Sequence, residues 1–245
     1  MFRNSAPRLP PLGPAGAALL AAAAGAAQDT DWATLRARMV EQQIKARGIK
    51  NERVLRALAT VPRHEFVPEA GRADAYRDGS LPIGHGQTIS QPYIVALMTA
   101  EARPRPGHRV LEVGTGSGYQ AAVLAELGRE VYTVELAPAL AEQAAERLKR
   151  LGYRHVHARA GDGYKGWPEA APFDAVVVTC GADHVPEPLF EQLKPGGVLV
   201  IPVGKAPAGQ SLLAIRKDAQ GGRTTRDLGP VRFVPLRRAG DGPGK

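Results

Sequence analysis

The chain has 245 residues, 44% of them hydrophobic and 23% charged, so it can bury one sizeable core with at most a small appendage. Its single cysteine, Cys180, excludes an intrachain disulfide framework and any cysteine zinc cluster. The formal net charge of +8 is spread with no block of five or more basic residues, which reads as an arginine-rich surface rather than a dedicated polyanion site.

Arg3 and Arg8 precede the small apolar stretch Ala15 to Ala27, followed by Gln28 and Asp29. This order describes a secretory leader over 1–27. It is short and alanine-rich for a membrane span. A disordered extension and translation from Met39 are the competing readings. From Asp31, which can cap, Trp32, Leu35, Met39 and Ile44 recur near helical spacing until Gly48. Glu52 to Thr60 predicts a second helix. Residues 62–90 are rich in Pro and Gly with little periodicity, and read as ordered loops. Pro92 opens a helix to about Ala102, ended by Pro104, Pro106 and Gly107.

Strands and helices then alternate. RVLEV (109–113), EVYTVE (130–135), VHARAGD, FDAVVVTCG (173–181) and GGVLVIPVG (196–204) predict five strands, with helices after the first at YQAAVLAELG and after the second at 138–152. Such alternation argues a parallel sheet covered on both faces. SLLAIRKD and VRFVPL read as closing strands, an antiparallel hairpin with Gly221 and Gly222 near its turn. The whole describes one domain over 31–237: a helical and loop region (31–103), a ligand-binding core (107–204) and closing strands (210–237). Residues 238–245 read as a frayed tail.

Glu112-Val113-Gly114-Thr115-Gly116-Ser117-Gly118 joins the first strand to a helix. Glycines there let the backbone turn tightly and let a ligand approach the main chain. A dinucleotide fingerprint would have its third glycine where Tyr119 stands, and the Gly-Lys-Ser/Thr of a phosphate loop is absent. Glu135, ending the second strand, can accept from both hydroxyls of a ribose, and Asp162-Gly163 follows the third strand. Each also has a plain reading, as a solvated strand end or a turn; their joint order favours a nucleoside carrying an amino-acid tail. The set resembles the Rossmann-like class I S-adenosylmethionine-dependent methyltransferases, with a mainly parallel doubly wound α/β sheet, N-terminal helices and C-terminal antiparallel strands.

LPIGHGQTISQP (81–92) resembles the signature of the protein-L-isoaspartate(D-aspartate) O-methyltransferase family. The likeness continues through RMVEQQIKARGI (38–49), VLRALATVPRHEFVP (54–68), VLEVGTGSGYQAAVLAELG (110–128), PFDAVVVT (172–179), LKPGGVLVIPVG (193–204) and RFVPL (232–236). The resemblance implies methyl transfer from S-adenosyl-L-methionine to the free α-carboxylate of isoaspartyl residues, without a metal, leaving S-adenosyl-L-homocysteine. It puts the active-site serine on Ser90 and the donor loop on Glu112, Gly114, Thr115, Gly116, Ser117 and Gly118. Glu135 falls at the ribose, and Asp162 and Gly163 at the adenine. Gln87, Thr88 and Ile89 fall on the acceptor side, with Thr88, Ile89 and Ser90 also closing over the donor; Val234, Pro235 and Leu236 supply backbone for peptide binding.

Against these stand plain readings: Ser90 as a helix cap with Pro92 in the first turn, and RFVPL as an edge strand guarded by its proline. Cys180 reads as buried packing, and the six histidines show no metal-ligand spacing, although His85 lies in the signature loop. A methyltransferase of bases or small molecules is one rival. Its usual Asn/Asp-Pro-Pro-aromatic motif is replaced here by Thr179-Cys180-Gly181-Ala182. A nucleoside- or nucleic-acid-binding module without turnover is another. The expected partners are isoaspartyl proteins and peptides, with no nucleic acid, no membrane beyond a cleaved leader, and a monomeric state. The leader favours export, whereas the cytosolic source of the donor favours the cytoplasm.

Overall fold

The computed structural model of the protein describes residues 30–128, 130–204, 209–238 and 240. The leader reading falls outside them, as does the tail reading apart from Arg238 and Gly240. Alternation within the apolar runs builds the centre of the molecule. Strands β3 (Arg109–Val113), β4 (Glu130–Glu135), β5 (Val156–Ala160), β6 (Phe173–Val178) and β7 (Leu193–Val203) lie parallel, β8 (Gln210–Lys217) and β9 (Arg223–Val231) antiparallel, in the order β5-β4-β3-β6-β7-β8-β9. Successive side chains of a strand point to opposite faces. Val110, Val131, Ala175, Val177 and Val200 therefore join the core on one side, while Leu111, Val113, Val134, Val176, Val178 and Leu199 join the core on the other.

The first core is covered by α1 (Trp32–Arg38), α2 (Glu52–Thr60), α3 (Pro92–Ala102), α4 (Tyr119–Ala125) and α5 (Pro138–Arg150); the second receives Leu189 and Phe190 of α6 (Glu187–Glu191). Helix α2 is bounded by a side chain: Asn51 Oδ1 accepts from Arg53 N at 3.1 Å and Val54 N at 3.4 Å. Helix α1 begins as expected, but its continuation Met39–Ile44 widens to π geometry before a tight turn at Lys45–Arg47. This brings Met39, Val40 and Ile44 inward together. Gly48, at φ 90°, ends the run.

Two expectations need correction. Residues 62–90 are more than loops. They hold short 3₁₀ turns and an antiparallel hairpin, β1 (Leu81–Gly84) with β2 (Gln87–Ile89), whose turn at Gly84, His85 and Gly86 has positive φ throughout. The closing strand is RTTRDLGPV rather than VRFVPL. Strand β9 is an edge strand and mostly exposed, so it carries none of the apolar alternation that advertises a half-buried strand. RFVPL is apolar for another reason: Phe233, Val234 and Leu236 leave the sheet and pack across its carboxyl end.

Candidate active site

In this strand order β3 lies between β4 and β6, and the chain departs from it in opposite directions, which opens a crevice at the carboxyl ends of the strands. The glycine loop lines it. Gly114, Gly116 and Gly118 all have positive φ. At Gly114 the tightness is tertiary as well, since a Cβ would stand 2.5 Å from Thr179 Oγ1 and 2.8 Å from Cys180 Sγ. Thr179 Oγ1 fastens the loop by donating to Gly114 O at 2.6 Å. From the other side Glu135 does the same: Oε2 accepts from Gly116 N at 2.9 Å, and Oε1 from Ala137 N at 3.1 Å.

Within the loop, Gly114 and Gly116 face the cavity, but Glu112, Thr115, Ser117 and Gly118 do not line it. Glu112 is wholly buried beneath the turn. Thr133 Oγ1 donates to its Oε2 at 2.6 Å and lies 2.6 Å from Thr115 Oγ1. Burial pushes the Glu112 carboxyl up to about 8, against the pull of the Thr133 bond and with the Glu135 charge adding to the rise. Ser117 Oγ accepts from Tyr119 N, and Gly118 packs closely against Leu148. These residues build the loop from below. Asp162 likewise points its Oδ1 at Tyr164 N, 3.0 Å away, and Gly163 lines the cavity, where a Cβ would strike Val113 Cγ1 at 2.5 Å.

Two cavities adjoin here. The first, ≈ 430 Å³, is lined by Gly114, Gly116, Glu135, Gly163 and Cys180, and by His85 and Gln87 of the hairpin turn. Pro235 and Leu236 close its far side. The second, ≈ 390 Å³, is lined by Ser80, Ser90, Gln91, Ile94, Arg232 and Phe233. Thr88, Thr179 and Val234 belong to both walls. Ile89 is buried on the hairpin and lines neither. Ser90 is not the cap of α3: Gln91 holds that position, and no side chain caps the helix.

The segment 232–236 hangs from a few points. Gln210 brackets Phe233, its Nε2 donating to the carbonyl at 3.2 Å and its Oε1 accepting from the N–H at 2.7 Å. Gly181 N donates to Val234 O at 2.8 Å, and Leu236 N to Gly181 O at 2.7 Å. Cys180 is buried, as expected, and burial drives its thiol far above the ordinary range.

Two residues had not been singled out from the sequence. Thr179, just past β6, had been named only as standing where a rival family's motif would be, with no part in holding the glycine loop. Arg63 is fully buried, donates from Nε to Ala75 O and from Nη2 to Ser90 O, each at 2.7 Å, and lies 4.8 Å from the centre of the Tyr119 ring. Its one signal is its place in VPRHEFVP, part of a segment that carries the family resemblance but that was otherwise read as loop.

A sequence model of the family described as protein-L-isoaspartate(D-aspartate) O-methyltransferase matches residues 34–240. The chain belongs to that family. A protein-L-isoaspartate O-methyltransferase of Opitutus terrae is 58% identical over 220 residues, covering 90% of this chain and 94% of the relative. One from Gloeobacter violaceus is 54% identical over 200 residues, covering 82% and 97%. A solved protein-L-isoaspartate O-methyltransferase superimposes with a TM-score of 0.75 at 32% identity, covering 82% of this chain, which spans 65% of that one. A Plasmodium falciparum structure assigned to the same family and bearing S-adenosyl-L-homocysteine gives 0.73 at 27% identity, covering 83% and 99%. The protein-L-isoaspartate O-methyltransferase fold thus extends over the parallel sheet and its antiparallel closing strands.

Proposed function

We propose that the first cavity holds S-adenosyl-L-methionine, that the second holds an isoaspartyl residue of a damaged protein, and that methyl transfer occurs across the wall they share. The chain is an S-adenosylmethionine-dependent protein carboxyl O-methyltransferase acting on isoaspartyl sites in proteins and peptides, the first step of their repair. The observation that carries the assignment of cavities is the common wall of Thr88, Thr179 and Val234, with Glu135 on one side and Ser90 on the other.

The first cavity fits the donor chemically. A carboxylate offers about four lone-pair directions, and the two backbone donors on Glu135 leave others for a ribose diol. Gly114, Gly116 and Gly163 present main chain without side chains, with Gly163 at the adenine side. When bound, the donor supplies a methyl carbon made electrophilic by a sulfonium.

A free α-carboxyl group ordinarily titrates at roughly pH 3.3–3.7, so the acceptor is ionised at neutral pH and no proton has to be removed. The protein's task is alignment and exclusion of water. Ser90 donates a hydrogen bond to the carboxylate, and the first-turn amides of α3, 11 residues long, favour the same negative charge. Arg232 adds a positive charge on that wall. The Val234 N–H, which has no acceptor among the described residues, is free to bond a peptide carbonyl. Recognition through main chain suits an enzyme that meets damage in many sequences. A monomer and a cytoplasmic or exported setting are both compatible with this reading.

The test is radiolabelled methyl transfer to an isoaspartyl peptide and its aspartyl twin. Ser90→Ala should lower kcat/KM for the isoaspartyl peptide by about 10–100-fold, the worth of one hydrogen bond to a charged group, while S-adenosyl-L-homocysteine binding stays within about threefold. An unchanged kcat/KM removes Ser90 from the mechanism. Equal labelling of the two peptides removes the substrate assignment.

A further inference from the structure

At the opposite, amino ends of the parallel strands lies a third cavity of ≈ 480 Å³. The end of α3, the turn before β3, the starts of β6 and β7 and the β8–β9 pair converge there, bringing Arg103, Arg105, His108, Lys194, Arg216 and Arg226 onto its wall. Two carboxylates lie among them, and both are engaged. Asp174 Oδ2 takes Lys194 Nζ at 2.8 Å and Arg109 N at 2.8 Å, while Glu101 pairs with Arg226. Arg103, Arg105 and Arg216 are exposed and have no carboxylate partner among the described residues. His108 Nδ1 is buried with no hydrogen-bond partner among them. The positive charge that looks dispersed along the sequence is therefore gathered by the fold.

We propose that this cavity is a binding site for a compact, multiply charged phosphate: pyrophosphate, a short inorganic polyphosphate, or the same group carried as the tail of a nucleotide. Three unopposed guanidiniums around one hollow repel one another until an anion enters, and the planar guanidinium fork matches phosphate oxygens in pairs. The hollow is bounded, of a size usual for small ligands, rather than a stripe that would track a nucleic-acid backbone. None of its lining residues is Phe, Tyr or Trp, so it offers no platform for stacking bases. Recognition must therefore fall on the phosphates. Arg103 strengthens the inference. It follows the last turn of α3 at φ 51°, ψ 46°, a left-handed position where glycine is the usual choice. A long cationic side chain stands there although the backbone disfavours it.

The experiment is calorimetric titration of the full chain with pyrophosphate, tripolyphosphate, ATP, sulfate and an oligothymidylate, at low and at physiological ionic strength. Expected are one saturable site per chain, tighter binding of tripolyphosphate than of pyrophosphate, and ATP equal to tripolyphosphate. The triple variant Arg103→Ala, Arg105→Ala, Arg216→Ala should weaken tripolyphosphate by about tenfold or more, with kcat/KM for the isoaspartyl peptide unchanged in the absence of phosphate. Any of four results overturns the proposal: equal binding to wild type and triple variant, sulfate as tight as tripolyphosphate (an adventitious ion only), ATP tighter by an order of magnitude or more, or preference for the oligothymidylate. None of these bears on the methyltransferase assignment.

Discussion

Replacing Glu112 by Gln tests the electrostatics beneath the glycine loop. The wild-type carboxyl is fully buried and sits at about 8 in the native protein, burial being the first cause, against an ordinary value of 4.5. A raised native value has a definite sign: the unfolded chain loses its proton first as pH rises. Stability contributed by the neutral carboxyl is thus fully present below pH 4.5, drains away through the interval, and is gone above about 8. Each pH unit within that window removes about 1.4 kcal/mol, or about 3 kcal/mol between pH 5 and pH 7.5. Gln cannot ionise, so the variant lacks this slope. Urea unfolding of both proteins at several pH values, compared as a difference, isolates the one group from all others that titrate. The gap should move in favour of Gln by about 3 kcal/mol across the window, while S-adenosyl-L-homocysteine affinity changes by less than about threefold, because Glu112 supports the loop without lining the cavity. Parallel stability profiles would refute the buried neutral acid. A large loss of affinity would return Glu112 to the cavity wall.

Gly114→Ala should cost about 2–4 kcal/mol, since the added Cβ meets Thr179 Oγ1 and Cys180 Sγ at a positive φ; chemical denaturation reads this directly, and a loss below about 0.5 kcal/mol would contradict the close approach. Arg63→Met strands the carbonyls of Ala75 and Ser90, so it should destabilise by about 2–4 kcal/mol and raise KM for the isoaspartyl peptide more than the Kd of S-adenosyl-L-homocysteine. Kinetics paired with equilibrium binding separates the two effects, and equal changes would leave Arg63 with a purely structural role. Arg103→Gly relieves a left-handed backbone and should stabilise by about 0.5–1 kcal/mol, or roughly 2 °C in Tm by calorimetry; no gain would mean that the turn itself is unstrained.

Much of the fold was legible where burial and backbone agreed. The limits of β3 and β4, and those of α2 and α3, coincide with the expected ones because apolar runs end there at glycine, proline or a capping side chain. Strand β9 was illegible for the opposite reason, being an exposed edge written in Arg, Thr and Asp. The site was legible in its loops and much less so in its depths. Glycine spacing and the signature segment pointed to Gly114, Gly116, Gly163, Thr88 and Ser90, all of which line a cavity. Which members of a loop face a ligand and which brace it from below depends on tertiary neighbours, and no local pattern distinguishes Glu112 from Glu135. Arg63 and Thr179 act through contacts 27 and 65 residues away in the chain, to Ser90 and Gly114, beyond the reach of any periodicity.

The attachment of residues 232–236 has an evolutionary corollary. An amide side chain, Gln210, one glycine, Gly181, and the Tyr164 hydroxyl suspend them, not a continuous ladder shared with β9. If the second cavity takes the peptide as proposed, substitution at Arg232, which lines that cavity and belongs to neither core, can therefore retune which peptides are admitted while the supporting scaffold stays untouched, so selectivity and foldability can drift apart in descendants of this chain.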